Sequence, residues 1–314
     1  MNAPTTNLDD ILEALAAHTT FHPDFLNAMR LINKCVDTTR HRKDPASAML
    51  IGSTGVGKTR LCHMIKKQMG APHKIRDNTS EHLVTPCVYV ELPESATIKS
   101  LSMVLSRALG AQPTDYQSIT VLETLIIERL RIMEVRLVIL DDFHHIAEKG
   151  QFRTKSSLCN WIIKLLNKSG IPLLLSGSPA AENTIDAVQE LSDRFPYRAR
   201  LSPMPLSADN SVLLGVLSNL QKEMIRLGNL QNYIHLTDPK PYLAIYLSTR
   251  GNFRKLSDLL HDSFRIALLR GDHSLIQSDF AEAADDLAFC CSPNYFRMSL
   301  KKLNSKLCSS TGKS

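Results

Sequence analysis

The chain contains no C-x-x-C pair, and its seven cysteines, Cys35, Cys62, Cys87, Cys159, Cys290, Cys291 and Cys308, are odd in number. That pattern offers neither a disulfide framework nor a zinc site and leaves most of the thiols as small core hydrophobes. No apolar run approaches the length of a membrane span, and the Met1–Asp10 start is polar and acidic, unlike a signal peptide. A cytoplasmic protein with no membrane partner is the expectation. Aromatic residues make up only 6%, with one tryptophan, Trp161, and there is no internal repeat or low-complexity block. The histidines at 144 and 145 are adjacent, so they cannot both face one metal from a helix or strand, and a metal-histidine centre is excluded there. The net charge of +6 suits an acidic polymer as partner, but basicity of this size is common and carries little weight alone. With 314 residues, 43% hydrophobic and 22% charged, the chain has room for two ordinary globular domains, or one with an appendage.

What the chain does have is Gly52-Ser53-Thr54-Gly55-Val56-Gly57-Lys58-Thr59, directly after the apolar run Ala48-Met49-Leu50-Ile51 and before the helical segment from Arg60 to Met69. This is strand, glycine-rich loop and helix in the pattern G-x-x-x-x-G-K-[ST], which cradles phosphate. The glycines let successive backbone N–H groups point at a β-phosphate, and the helix aims its positive end at the same anion. Lys58 is placed to reach the β- and γ-phosphates, and the Thr59 hydroxyl to ligate Mg²⁺. A chance match arises on the order of once in a hundred chains of this length, and the strand–helix context lowers that further. The expected cofactors are ATP and Mg²⁺, with Gly52 to Arg60 as the binding segment.

Taken in order, residues 1–45 read as an N-terminal helical extension carrying two helices. Residues 46–205 read as an α/β nucleotide-binding domain, 206–290 as a helical lid and 291–314 as a basic, mobile tail. Between Gly70 and His82 a loop is expected, then a buried strand over Pro86–Leu92 of the parallel type. A second buried strand, Val135 to Leu140, ends in Asp141 and Asp142. Asp141 is placed to reach the Mg²⁺ shell through water, and Asp142 to polarise the attacking water. The following helix is expected to be capped by Ser156 or Ser157, with Trp161 as a packing residue. A third strand, Ile171 to Ser176, ends in hydroxyls, and Ser176 lies where a γ-phosphate can be sensed.

The order of phosphate loop, hhhhDD strand, hydroxyl-ended strand, Arg194-Phe195 and a helical segment with Gly251-Asn252-Phe253-Arg254 resembles the AAA+ ATPases. That resemblance implies a parallel sheet flanked by helices with a small helical lid, and an oligomer. It further implies that Arg254 reaches the γ-phosphate from the lid and that Arg194 acts on a neighbouring subunit's nucleotide. The finer pieces, Leu140-Asp141-Asp142-Phe143-His144-His145, Leu175-Ser176-Gly177-Ser178 and Leu191-Ser192-Asp193-Arg194-Phe195 among them, are similar to the TniB/TnsC transposition regulators. For that family the implied function is an ATP-dependent assembly on duplex DNA that links a target-selection protein to the transposase in DNA recombination. Asp142 stands where the superfamily usually has glutamate, which implies slow hydrolysis. Segments that face the central channel in related rings supply the DNA-facing candidates, Thr97, Lys99, Lys149, Arg153 and Lys155.

Three other readings compete. Another DNA-associated AAA+ ATPase, of initiator or helicase-loader type, would commonly append a further DNA- or partner-binding module, for which little chain follows Ala288. A metabolite phosphotransferase would need an acceptor pocket rather than Arg194 and Arg254 with a helical second domain. A nucleotide-locked scaffold would show negligible turnover, with or without DNA.

Overall fold

The computed structural model describes residues 7–41, 44–76, 81–94, 97–147, 152–206, 212–290 and 293–311. Two helices come first, α1 (Leu8–Ala17) and α2 (Pro23–Thr39), then strand β1 (Ala48–Gly52) and helix α3 (Lys58–Met69). Strands β2 (His73–Arg76), β3 (Glu81–Val84) and β4 (Cys87–Glu91) lead to helices α4 (Ile98–Ala108) and α5 (Ile119–Ile132). Next are β5 (Leu137–Asp141), α6 (His144–Ala147), α7 (Phe152–Ser169) and β6 (Leu173–Gly177). Helices α8 (Pro179–Asp186) and α9 (Gln189–Asp193) precede β7 (Tyr197–Leu201). The remainder is α10 (Val212–Gly228), β8 (Asn232–Tyr233), α11 (Pro239–Thr249), α12 (Phe253–Arg270), β9 (Ser274–Leu275) and α13 (Gln277–Asp286), then a 3₁₀ turn (Tyr295–Arg297) and α14 (Leu300–Thr311). No described helix is long and apolar enough to cross a membrane.

The chain forms two compact units, one of residues 24–201 and one joining residues 1–23 to 202–314. In the first, five strands run in the order β4-β5-β6-β1-β7, and every neighbouring pair is parallel. Because side chains alternate along a strand, each strand feeds both faces of the sheet. Met49, Ile51, Val138, Leu140 and Leu175 enter a core shared with α4, α5 and α7, while Ala48, Leu50, Leu137, Ile139 and Leu174 face α2 and α3. The near-continuous apolar strands of the sequence are thus strands buried on both faces. Parallel connections bring the C-terminal ends of β1, β5 and β6 to one edge, where the glycine loop, the acid pair and the hydroxyl strand end all emerge.

Four local expectations are corrected. The stretch from Gly70 to His82 is not wholly loop, because β2 and β3 pair antiparallel with Lys74 and Glu81 bridged at 2.8 Å. All of β2 is exposed, so it lacks the buried face that marks a strand in sequence. Helix α7 starts at Phe152, a turn ahead of the expected cap at Ser156 or Ser157. The residues read as one N-terminal extension divide, with α2 giving Phe25, Ile32 and Val36 to the sheet's core and α1 giving Leu12 and Leu15 to the helical one.

The fourth concerns the tail, expected to be mobile. Residues 293–311 instead carry Tyr295, Phe296 and Leu303 into the helical core, with Phe296 stacked on Phe280 at 5.6 Å between ring centres. Three large side chains suffice to anchor it, and they are too few to register as a periodic pattern. In the same unit Gly251 has φ +71°, and a Cβ there would lie 1.9 Å from the Met204 carbonyl oxygen. Glycine is therefore required where α12 begins, with Asn252 capping the helix by accepting from the Lys255 N–H.

Candidate nucleotide site

The glycine loop follows from close approaches and left-handed turns. A Cβ on Gly52 would meet the Leu201 carbonyl oxygen at 2.4 Å, so only glycine lets β1 end beside β7. Gly55 and Gly57 adopt φ of +81° and +99°, a region that costs other residues about 1–2 kcal/mol. Gly57 caps α3 without any side-chain hydrogen bond, and α3 has no acid in its first turn, so its N–H groups remain available to an anion. Lys58, 8% exposed, lies against the loop and donates to the Gly52 and Ser53 carbonyls at 2.8 and 2.9 Å. Burial lowers its ammonium pKa, opposed by the nearby Asp141 and Asp142 carboxylates. Thr59 is exposed on the first turn of α3, and burial lowers the Arg60 pKa.

Asp141, the last residue of β5, is fully buried. One oxygen accepts from the Asp142 N–H at 3.0 Å and the other from the Tyr89 hydroxyl at 3.1 Å. Tyr89, on neighbouring β4, packs against the His63 ring at 4.5 Å, and both burial and the Asp141 charge push its phenol up. Asp142 is held at φ +53°, a strained setting for a residue that is not glycine, and its carboxylate lies 3.8 Å from His144 Nδ1. Register puts Leu140 level with Leu175, so Ser176 stands level with Asp141 across the strand pair. The loop after the acids is pinned by the Phe143 N–H donating to the Ser176 carbonyl at 2.8 Å. The Ser176 hydroxyl is buried without an oxygen or nitrogen partner among the described residues and has the Cys62 thiol beside it, a thiol that burial and Asp141 push up. Lys58, Asp141, Asp142 and Ser176 therefore share one edge of the sheet.

The arginines lie elsewhere. Arg194 caps the end of α9, and its carbonyl accepts from the Ser47 N–H at 2.7 Å, at the start of β1. The phosphate loop leaves the other end of β1, roughly 15 Å away. The sheet thus separates Arg194 from its own chain's loop. One guanidinium nitrogen of Arg194 is buried without a partner among the described residues. Another lies 3.8 Å from Glu190, beside an open cavity of about 480 Å³ also bordered by Asp44 and Asp193. Arg254 belongs to the other unit, exposed as the second residue of α12.

The DNA candidates scatter. Thr97 caps α4, accepting from the Ser100 N–H at 3.1 Å, and Lys99 donates to the Asp115 carbonyl at 2.5 Å, so both have work within the fold. Lys149 lies outside the described residues, as do the side chains of Arg153 and Lys155, whose backbone starts α7. Neither Tyr89 nor Cys62 stands out in the sequence as part of this site. The one signal for Tyr89 is a lone hydroxyl inside an apolar strand.

A model of the bacterial TniB protein family matches residues 10–202, more than half of the chain. The chain belongs to the TniB family. No curated protein sequence matches it. Among solved structures, it resembles Orc1 of Aeropyrum pernix in complex with DNA, at 16% identity and a TM-score of 0.60, over 88% of this chain and 68% of that one. Cdc6p of Pyrobaculum aerophilum gives 15% and 0.62 over 90% and 72%. The ORC2 protein of Aeropyrum pernix, with ADPNP and ADP, gives 14% and 0.58 over 87% and 71%. At these identities the likeness speaks to fold, and this TniB chain has the AAA+ fold: a five-stranded parallel sheet flanked by helices.

Proposed function

We propose that this TniB chain is an ATP-hydrolysing regulator of transposition that oligomerises on duplex DNA and couples a target-selection protein to the transposase. The observation that carries the reading is the gathering of Lys58, Asp141, Asp142 and Ser176 at one sheet edge beside an uncapped helix N-terminus. Family membership supports the transposition role. Support for the DNA role comes from the likeness to Orc1, a protein solved on DNA.

The chemistry follows from the residues. Loop N–H groups and the α3 dipole hold the β-phosphate, while Lys58 exchanges its two loop carbonyls for phosphate oxygens. No group of three or more His, Cys, Asp or Glu among the described residues could cage a metal. The Thr59 hydroxyl and the Asp141 carboxylate, with water, fit Mg²⁺, which keeps much of its water and binds with the phosphates. When bound, the ion neutralises charge on the β- and γ-oxygens. Tyr89 and the Asp142 N–H fix the direction of the Asp141 carboxylate. Asp142 polarises the attacking water, its short side chain keeping turnover slow, and Ser176 donates towards the γ-phosphate. Arg194 acts on the next subunit's nucleotide. DNA is held through its phosphates by basic residues such as Lys149, Arg153 and Lys155.

The test measures phosphate release from ATP with and without duplex DNA. Release should rise with DNA in the wild type and fall about 10³-fold or more in R194A, the lower end of what an arginine acting in trans contributes. DNA-independent release, unchanged in R194A, would refute the assignment.

A further inference from the structure

Arg198 has more bonds to the α8–α9–β7 corner than any ordinary surface ion pair needs. Its Nε donates to the Phe195 carbonyl at 2.7 Å. One terminal nitrogen donates to Asp186 Oδ1 at 2.7 Å and to Ser192 Oγ at 3.2 Å, and the other reaches Glu182 Oε1 at 3.3 Å. The Ser192 hydroxyl itself donates to the same Asp186 oxygen at 2.7 Å. A single side chain, 20% exposed, thereby ties the end of α8, the last turn of α9 and the residue immediately after Arg194.

Arg194 needs such an anchor. Its backbone is fixed through Leu191 and Ser47, but among the described residues its guanidinium has only Glu190 at 3.8 Å and one nitrogen without a partner. No short side-chain hydrogen bond among the described residues fixes the direction of that side chain, which is 19% exposed, so its aim depends on the backbone at 193–195 that carries it. Strand β7 is an edge strand, so no further strand among the described residues braces the turn from outside. Arg200, two residues on, pairs with the same Glu182 at 2.8 Å but is more exposed and does not reach the turn.

We propose that Arg198 is a positioning residue for Arg194, clamping the α9–β7 turn so that the Arg194 guanidinium is presented to the nucleotide of a neighbouring subunit. The inference rests on the trans role proposed for Arg194. Arg198 then acts on the donor side of the subunit interface and leaves its own chain's phosphate loop intact. Fixing a catalytic group to within an ångström is worth about 10²-fold in rate, and R198A should lose about that much DNA-stimulated hydrolysis. D186N, which weakens the same clamp, should lose less in the same direction, and R200A should stay within about twofold of wild type.

The deciding experiment mixes variants. D142N subunits cannot activate water but carry an intact Arg194, whereas R198A subunits keep an intact site of their own. Mixing R198A with D142N in the presence of ATP, Mg²⁺ and duplex DNA should raise hydrolysis well above the sum of the two alone. A mixture of R194A with D142N is the control. If the control recovers activity and the R198A mixture does not, the positioning role is overturned while the trans role stands. If the control itself fails to recover, the trans role of Arg194 falls and the inference falls with it. A general folding defect in R198A would also leave its mixture inactive, so recovery cannot come from a merely structural effect.

Discussion

The geometry of Lys58 and Asp141 is already constrained by the protein. The ammonium is folded onto two loop carbonyls, and the carboxylate is gripped by a phenol and a backbone amide. Removing the ammonium should therefore cost more than a surface charge would. K58A should weaken ATP binding by roughly ten- to a hundredfold, the equivalent of a charge-assisted hydrogen bond or two, measured by titration with a fluorescent ATP analogue. Tyr89→Phe should instead leave ATP binding without metal unchanged and raise the Mg²⁺ needed for half-maximal stimulation of binding by about fivefold, for a lost bond of about 1 kcal/mol. An unchanged Mg²⁺ requirement would show that the phenol does not orient Asp141. The phosphate loop is legible in sequence because its glycines are demanded by local backbone geometry. Tyr89 is not, because the target of its hydroxyl is chosen by the pairing of β4 with β5, strands separated by more than forty residues of chain.

At the scale of elements, two glycines separate backbone strain from steric clash. Gly57 has positive φ with nothing within 4 Å of where an added methyl would sit, whereas a methyl on Gly251 would strike the Met204 carbonyl oxygen at 1.9 Å. Gly57→Ala should cost only about 1–2 kcal/mol of stability, and Gly251→Ala should cost more, about 2–5 kcal/mol, both read from denaturant melts. Equal losses would mean that the Met204 contact is not part of the stable fold. The C-terminal segment makes a similar case. Phe296, 1% exposed, should cost about 3–5 kcal/mol when truncated to alanine, whereas a mobile tail would tolerate the change. Four of the five parallel strands and the long helices are readable from apolar runs and helical period, whereas β7, Tyr197-Arg198-Ala199-Arg200-Leu201, is no apolar run. The β2–β3 pair and the packed tail escape that reading, since one has no buried face and the other anchors through three scattered side chains.

For the molecule as a whole, the decisive relation is between the two ends of β1, which place the phosphate loop and Arg194 on opposite edges of the same sheet. On the proposed function, nucleotide sits at one edge and Arg194 serves from the other, so successive copies would complete one another's sites head to tail. The motifs announce both ends, but only the fold shows them facing apart. DNA held through phosphate contacts should also be released steeply as salt rises. If ATP acts as a clamp between subunits on DNA, sedimentation velocity on the protein with ATP, Mg²⁺ and duplex DNA will show it. Multi-subunit complexes that require both ATP and DNA and are lost in K58A are expected. A wild-type protein that stays monomeric under all those conditions would contradict it.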